Sequence, residues 1–164
     1  MIIVGLTGGI GSGKSTILNY LKNNGYPCFE SDKVAKKVFS DSKLLKNLND
    51  TVHPAVHKAF VKFKNKHENF PMIIKEAAIL IESGSYKSCD FIILVKAPRS
   101  ERIKRIVARD SVNESDVIVR INNQWDDKKK EKYADYVIEN INLDKTFEKV
   151  KILIEKLNNK KGIH

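Results

Sequence analysis

Residues Gly8 to Thr16, "GGIGSGKST", combine glycines, a lysine and two hydroxyls at the spacing G-x-x-x-x-G-K-S. The defining positions are Gly8, Gly13, Lys14 and Ser15, and the chemistry they can do is to hold a nucleotide polyphosphate. Gly9, Gly11 and Gly13 are expected to take positive φ, so that the amides of Ile10, Ser12 and their neighbours turn inward around a phosphate. A helix starting at Lys14 adds the partial positive charge of its N-terminus. Lys14 can reach the β- and γ-phosphates, Ser15 can ligate Mg²⁺, and Thr16 completes the loop. An apolar segment precedes the loop and a helical one follows. A glycine turn that merely caps a helix would not need all these features in this order.

A second cluster of reactive types follows in "FESDKVAKKVF" at 29–39. Asp32 and Lys36 stand four apart and could orient a hydroxyl and steady charge in a transition state. On spacing alone, Asp32 serves equally well as the cap of the helix that begins there.

The elements that must position these residues alternate between strand and helix. Residues 1–6 read as a buried strand, Lys14 to about Asn24 as a helix closed by Gly25, and 26–29 as a short second strand. Residues 32–39 and 42–67 read as helices, with Pro54 expected to start a new one. A third strand is expected near 72–76, followed by a short turn or helix, and a fourth at 89–97. Residues 99–109 carry Ile103, Ile106 and Val107 at helical spacing. The polar stretch 114–134 reads as helical, "DYVIEN" as a last strand, and 143–158 as an amphipathic helix. Strands separated by helices imply a parallel sheet covered on both faces, with a ligand at the carboxyl edge of the strands.

Composition narrows the classes of function. The 164 residues suit one domain, with 41% hydrophobic and 30% charged residues. No apolar run approaches the ~20 residues of a membrane span, and the N-terminus has no basic leader, so a cytoplasmic protein is expected. The net charge is +10. Its lysines are scattered, densest at "DDKKKEKY" and "KLNNKKG", and are not interleaved with aromatics. That pattern fits a solvated surface and a phosphate cleft better than a nucleic-acid partner. Cys28 and Cys89 lack metal-ligand spacing and read as small, partly buried side chains.

The chain is short for motor or DNA-handling ATPases and lacks the N/TKxD motif of GTPases. A small kinase for a nucleoside or metabolite fits better, with a polar helical lid that excludes water from ATP. Here the sequence resembles the dephospho-CoA kinase family. The family carries "LTGGIGSGKS" and D-x-D-x-x-A-R, and this chain has "IVGLTGGIGSGKST" followed by Glu30, Asp32, Ala35 and Lys36. "VHPAV", "AAILIESGSY", "RIKRIVARD" and "QW…ADYVIEN" resemble further family segments in the same order.

The resemblance implies a three-layer α/β/α fold of the P-loop NTPase type, with a five-stranded parallel sheet, a helical lid and a helical acceptor subdomain. In this single domain the core covers about 1–35, 70–110 and 134–164, the acceptor region about 36–69 and the lid about 111–133. The implied reaction is ATP-dependent phosphorylation of the ribose 3′-hydroxyl of dephospho-CoA, with Mg²⁺. Asp32 matches the family's base and Lys14 its phosphate lysine. Arg109, Arg105 and Arg120 are candidates for neutralising the transferring phosphoryl group, with Lys130 as a helper. Glu30 and Lys36 stand where the family usually has Asp and Arg, and His53 matches a His-Pro element that could instead only pack a helix.

The match also departs from the family pattern. The connection between "AKKVF" and "LNDTVHP" is shorter than in the family, and "ENIN" lacks a glycine after the asparagine. A reduced acceptor pocket, another hydroxyl acceptor, or nucleotide binding without catalysis all remain open at this level. A monomer or weak homo-oligomer is expected.

Overall fold

Residues 2–7 are apolar, small or β-branched, and they form the central strand β1 (Ile2–Thr7) of a five-stranded sheet. The computed structural model describes residues 1–41 and 48–159. The other elements are α1 (Lys14–Asn23), β2 (Cys28–Glu30), α2 (Ser31–Asp41), α3 (Leu48–Lys66), β3 (Met72–Glu76), β4 (Phe91–Lys96), α4 (Arg99–Asp110), α5 (Glu114–Asn122), α6 (Asp127–Glu131), β5 (Tyr136–Glu139) and α7 (Leu143–Asn159). Strand order is β2-β3-β1-β4-β5, and every ladder is parallel. All five carboxyl ends therefore lie along one edge.

The side chains of β1 show why the sheet has two covered faces. Val4 and Leu6 join Ile17, Leu21, Val150 and Ile154 in one core cluster, under α1 and α7. Ile3 points the other way and joins Ile73, Phe29 and Phe60, under α3. Burial on both faces explains the apolar start of β3, Met72 to Ile74, and all five of its residues are buried, including Lys75 and Glu76 at its carboxyl end. A smaller cluster of Ile106, Val117 and Ile121 fixes α5 on α4. The expected three-layer arrangement is the one observed.

Several local expectations need correction. Pro54 lies inside α3 and does not start a helix. Proline cannot donate to the carbonyl four residues back, but Val56, Phe60 and Phe63 pack toward the sheet beyond it and carry the helix through. The polar stretch 114–134 is two helices, because Asp126 caps a new one by accepting from the Lys129 amide at 2.7 Å. The link from β3 to β4 holds only turns and a 3₁₀ helix at Ser85–Ser88. The first part of the helix expected over 42–67, residues 42–47, lies outside the described residues, as do 160–164 with the tail lysines Lys160 and Lys161.

Candidate active site

The loop between β1 and α1 is held from behind by side chains of three other elements. Arg102 of α4 donates from Nε to Ile10 O at 2.8 Å, and Gln124 Oε1 accepts from the Ile10 amide at 2.9 Å. Asn140, just past β5, donates from Nδ2 to Ser12 O at 3.0 Å. Its own Oδ1 accepts from Thr146 Oγ1 at 3.1 Å. Gly8, Gly11 and Gly13 take positive φ. Gly9 does not, contrary to expectation. A Cβ there would meet the guanidinium of Arg102, which would have to shift away from the loop it supports. Gly13, at φ 96°, combines both requirements, since a Cβ would strike Asn140 Nδ2.

This loop floors a cleft of about 770 Å³. Gly9 to Thr16 line it, together with Glu30, Asp32, Lys36, Glu76, Arg105 and Arg109. Gly8 lies behind the lining, against Val95 O and Ser12. Ser15 and Thr16, at the start of α1, are exposed to the cleft. Lys14 is buried, its Nζ 3.5 Å from Glu76 Oε1 at the end of β3. Burial pushes the Glu76 carboxyl above its usual range, and the nearby Lys14 ammonium only partly offsets this.

Asp32 sits in the first turn of α2, and its Oδ2 accepts from the Ala78 amide at 3.1 Å. The carboxylate is thus tied to the loop after β3 and leaves Oδ1 for another partner. It lines both the phosphate cleft and a second, mostly apolar cavity of about 180 Å³ beside Ala35, Val52, His53, Val56 and Ile79. That cavity continues past His53, Val56, Ser83 and Ser85 into a third of about 360 Å³, walled by His57 and Lys75. Lys75 donates to Ser88 Oγ at 2.9 Å, and burial lowers its pKa. Asp32 therefore stands at the junction of the cleft floored by the glycine loop and an apolar pocket.

The remaining candidates divide. Lys36 lines the cleft and His53 the apolar cavity. Glu30 pairs with Lys22 and, at 2.7 Å, with Lys33. Burial alone would raise its pKa, but the hydrogen bonds from these lysines outweigh that and hold it below the usual value. Arg105 reaches the loop, donating to Asn140 O at 2.9 Å and to Gly11 O at 3.4 Å. Arg109 stands on the cleft rim, bidentate to Asp110 at 2.7 and 3.0 Å. Arg120 is not brought to the cleft. It lies on the solvent side of α5 and pairs with the same Asp110 at 3.0 Å. Lys130 is also not at the phosphates: it is wholly buried and bound to Glu82 at 2.9 Å and Ala78 O at 3.2 Å. Both cysteines are free and half-buried as expected, and burial pushes the Cys28 thiol up to about 12.

A family model described as dephospho-CoA kinase matches residues 2–39 and 32–145, which together span this whole site. The chain belongs to the dephospho-CoA kinase family. A member from Fusobacterium nucleatum is 32% identical, over 94% of this chain and 98% of its own length. That alignment runs to 190 positions against 164 residues here, so the relative carries residues this chain lacks. The solved structure of TT1252 from Thermus thermophilus superposes with a TM-score of 0.84 at 29% identity, covering 95% of this chain and 97% of that one. Dephospho-CoA kinase from Campylobacter jejuni shares the fold at a TM-score of 0.64 and 22% identity, covering 96% of this chain and 98% of that one. The family is one of kinases, transferases with ATP as phosphoryl donor.

Beyond the residues singled out from sequence, the structure places Glu76, Ala78 and Gln124 in the cleft lining, with Arg102, Asn140 and Glu82 outside it, bonded to Ile10, Ser12 and Lys130. Signals for some were present. Glu76 is an acid at the end of an apolar strand, and Arg102 shares a helix face with Arg105 and Arg109. Ala78 acts through its backbone and has no side-chain signal.

Proposed function

We propose that this chain phosphorylates the ribose 3′-hydroxyl of dephospho-CoA with ATP, giving CoA and ADP, the closing step of coenzyme A biosynthesis. The observation that carries this reading is the place of Asp32, between the phosphate cleft and the apolar cavity. ATP lies with its phosphates on the loop amides and Lys14. Asp32 accepts the proton of the acceptor hydroxyl through Oδ1 as the hydroxyl oxygen attacks the γ-phosphorus in line and ADP leaves with the bridging oxygen. No covalent enzyme intermediate is needed, because positioning and charge neutralisation suffice for this chemistry. Arg109 on the rim joins the transferring phosphoryl group by leaving Asp110, while Arg105 holds the loop itself.

The donors facing the cleft beside Ser15 are oxygens, from its hydroxyl, Glu76 and Asp32. Such a set fits a hard cation held mainly by substrate phosphates and water, and Mg²⁺ bound there would neutralise charge on the phosphates. The acceptor's apolar part would follow the cavity from Asp32 past His53 toward Lys75. The expected setting is the cytoplasm, with small-molecule partners only.

The deciding experiment is ADP release from Mg²⁺–ATP with and without dephospho-CoA, with the product identified by mass and an Asp32→Asn variant run alongside. Acceptor-dependent ADP, a product one phosphoryl group heavier, and loss of about 10²- to 10⁴-fold in the variant are expected. ATP binding without acceptor dependence would overturn the reading. A second reading, transfer to a smaller hydroxyl compound, draws on the cavity beside Asp32. At about 180 Å³ it is small next to the roughly 300–1,000 Å³ of most ligand pockets. Turnover with a small polyol and none with dephospho-CoA would select it.

A further inference from the structure

Lys130 has the largest of the wholly buried side chains among the described residues. Its ammonium donates to Glu82 Oε1 at 2.9 Å and to the carbonyl oxygen of Ala78 at 3.2 Å. The amide of the same residue, Ala78, donates to Asp32 Oδ2 at 3.1 Å. Thr7 Oγ1 is a more distant second donor to Ala78 O, at 3.4 Å. Ala78 is thus held on one side by a buried cation and on the other holds the carboxylate at the junction of the two cavities.

We propose that Lys130 is a positioning residue for phosphoryl transfer, which orients the backbone of Ala78 so that its amide fixes the Asp32 carboxylate. The inference rests on the reading of Asp32 as the base. Packing alone does not account for a lysine here. Apolar side chains of similar volume fill such a space as well or better than a buried ion pair, which must first lose its water. What a Leu or Met cannot supply is a directed donor to Ala78 O. Without it, Ala78 O keeps only the longer contact from Thr7 Oγ1 at 3.4 Å, and the backbone whose amide aims Asp32 is held less firmly. Displacements of about 1 Å at a reacting group can cost on the order of 100-fold in rate.

The segment that carries Lys130 also touches the other half of the site. Gln124 accepts from the Ile10 amide at 2.9 Å, and Asp127 faces Arg102 at 3.7 Å behind the phosphate loop. Trp125 N donates to Glu82 Oε1 at 3.3 Å. Residues 124–130 therefore run from the donor loop to the backbone that sets the base. They fix the two relative to each other.

The test compares Lys130→Met, Lys130→Met/Glu82→Leu, Asp32→Asn and Asp32→Asn/Lys130→Met in the full chain. Single-turnover transfer rate, ATP affinity and melting temperature are measured for each. The single lysine variant strands Glu82 and is expected to lose stability. The Lys130→Met/Glu82→Leu variant removes both charges, though also the acceptor of the Trp125 amide, and should regain most of the melting temperature lost by Lys130→Met alone. Its transfer rate should nevertheless stay about 10- to 100-fold down, with ATP affinity unchanged. In the Asp32→Asn background the lysine substitution should cost nothing further, because it acts through that carboxylate. A doubly apolar variant at full rate, or losses that multiply in the Asp32 background, would overturn the inference while leaving Asp32 as base. Normal turnover by Asp32→Asn alone would remove the base reading, and this inference with it.

Discussion

Lys14 Nζ and Glu76 Oε1 stand 3.5 Å apart, across the carboxyl ends of the neighbouring strands β1 and β3, and both side chains are under 10% exposed. The lysine proposed to meet the ATP phosphates therefore already has a buried carboxylate partner. Removing it has two separable effects. Lys14→Ala should abolish ATP use and also destabilise the fold by about 3 kcal/mol, because Glu76 is left buried without its cation. Lys14→Ala/Glu76→Gln should recover most of that stability and none of the nucleotide affinity. Urea unfolding and nucleotide titration on the two variants read the two effects independently.

The same pair makes stability depend on pH. Burial raises the Glu76 pKa above its ordinary 4.5, so the folded state holds this proton more tightly than the unfolded state. Above pH 4.5 the unfolded chain binds fewer protons than the folded one, and this group's contribution to stability falls as pH rises. The fall ends once pH passes the raised folded value. Glu76→Gln lacks that titration. Its melting temperature relative to wild type should therefore climb from pH 4.5 upward and then level, which a series of melts at stepped pH would record.

Two arginines that look alike in sequence should behave differently. Arg109 lines the cleft and Arg120 does not, although both pair with Asp110. Arg109→Ala is expected to lower kcat by about 10- to 100-fold with little change in melting temperature, since its ion pair is on the surface. Arg120→Ala should leave both within about twofold, as for a typical exposed pair. Steady-state kinetics on the two variants decides. Equal losses would mean that α5 moves far enough on closure to bring Arg120 over the phosphates.

The contrast marks where sequence reading stopped. The phosphate loop was legible because its signature is contiguous: Gly8 to Thr16 carry the turn and the helix start in one stretch, although distant side chains of Arg102, Gln124 and Asn140 hold it in place. The parallel sheet and its common carboxyl edge followed from alternation and handedness, whereas the order β2-β3-β1-β4-β5 came only from the structure. Asp32 could not be resolved between cap and base, because the group that orients it is the amide of Ala78, 46 residues away. Lys130 and Arg120 lay in one polar stretch with no periodic signal. The restart of the helix at Asp126 turns one inward and leaves the other in solvent. Gly9 was read for conformational freedom, whereas a Cβ there would meet Arg102 from across the fold.

Asn140 gives the last prediction, since it joins the far strand to the loop. It is buried, donates to Ser12 O at 3.0 Å and accepts from Thr146 Oγ1 at 3.1 Å. Asn140→Ala leaves Ser12 O with only the long contact from Arg105 at 3.5 Å, and should cost about 1–3 kcal/mol of stability. It also frees the loop at Ser12, so the KM for ATP should rise several-fold, on the order of one lost hydrogen bond. Thr146→Val removes only the outer bond, and its hydroxyl's other partner, Asn142 O at 2.8 Å, lies away from the loop. That variant should lose stability while leaving the KM for ATP near wild type. If both raise KM equally, the asparagine acts by holding the β5–α7 turn in place, and its bond to the loop is incidental.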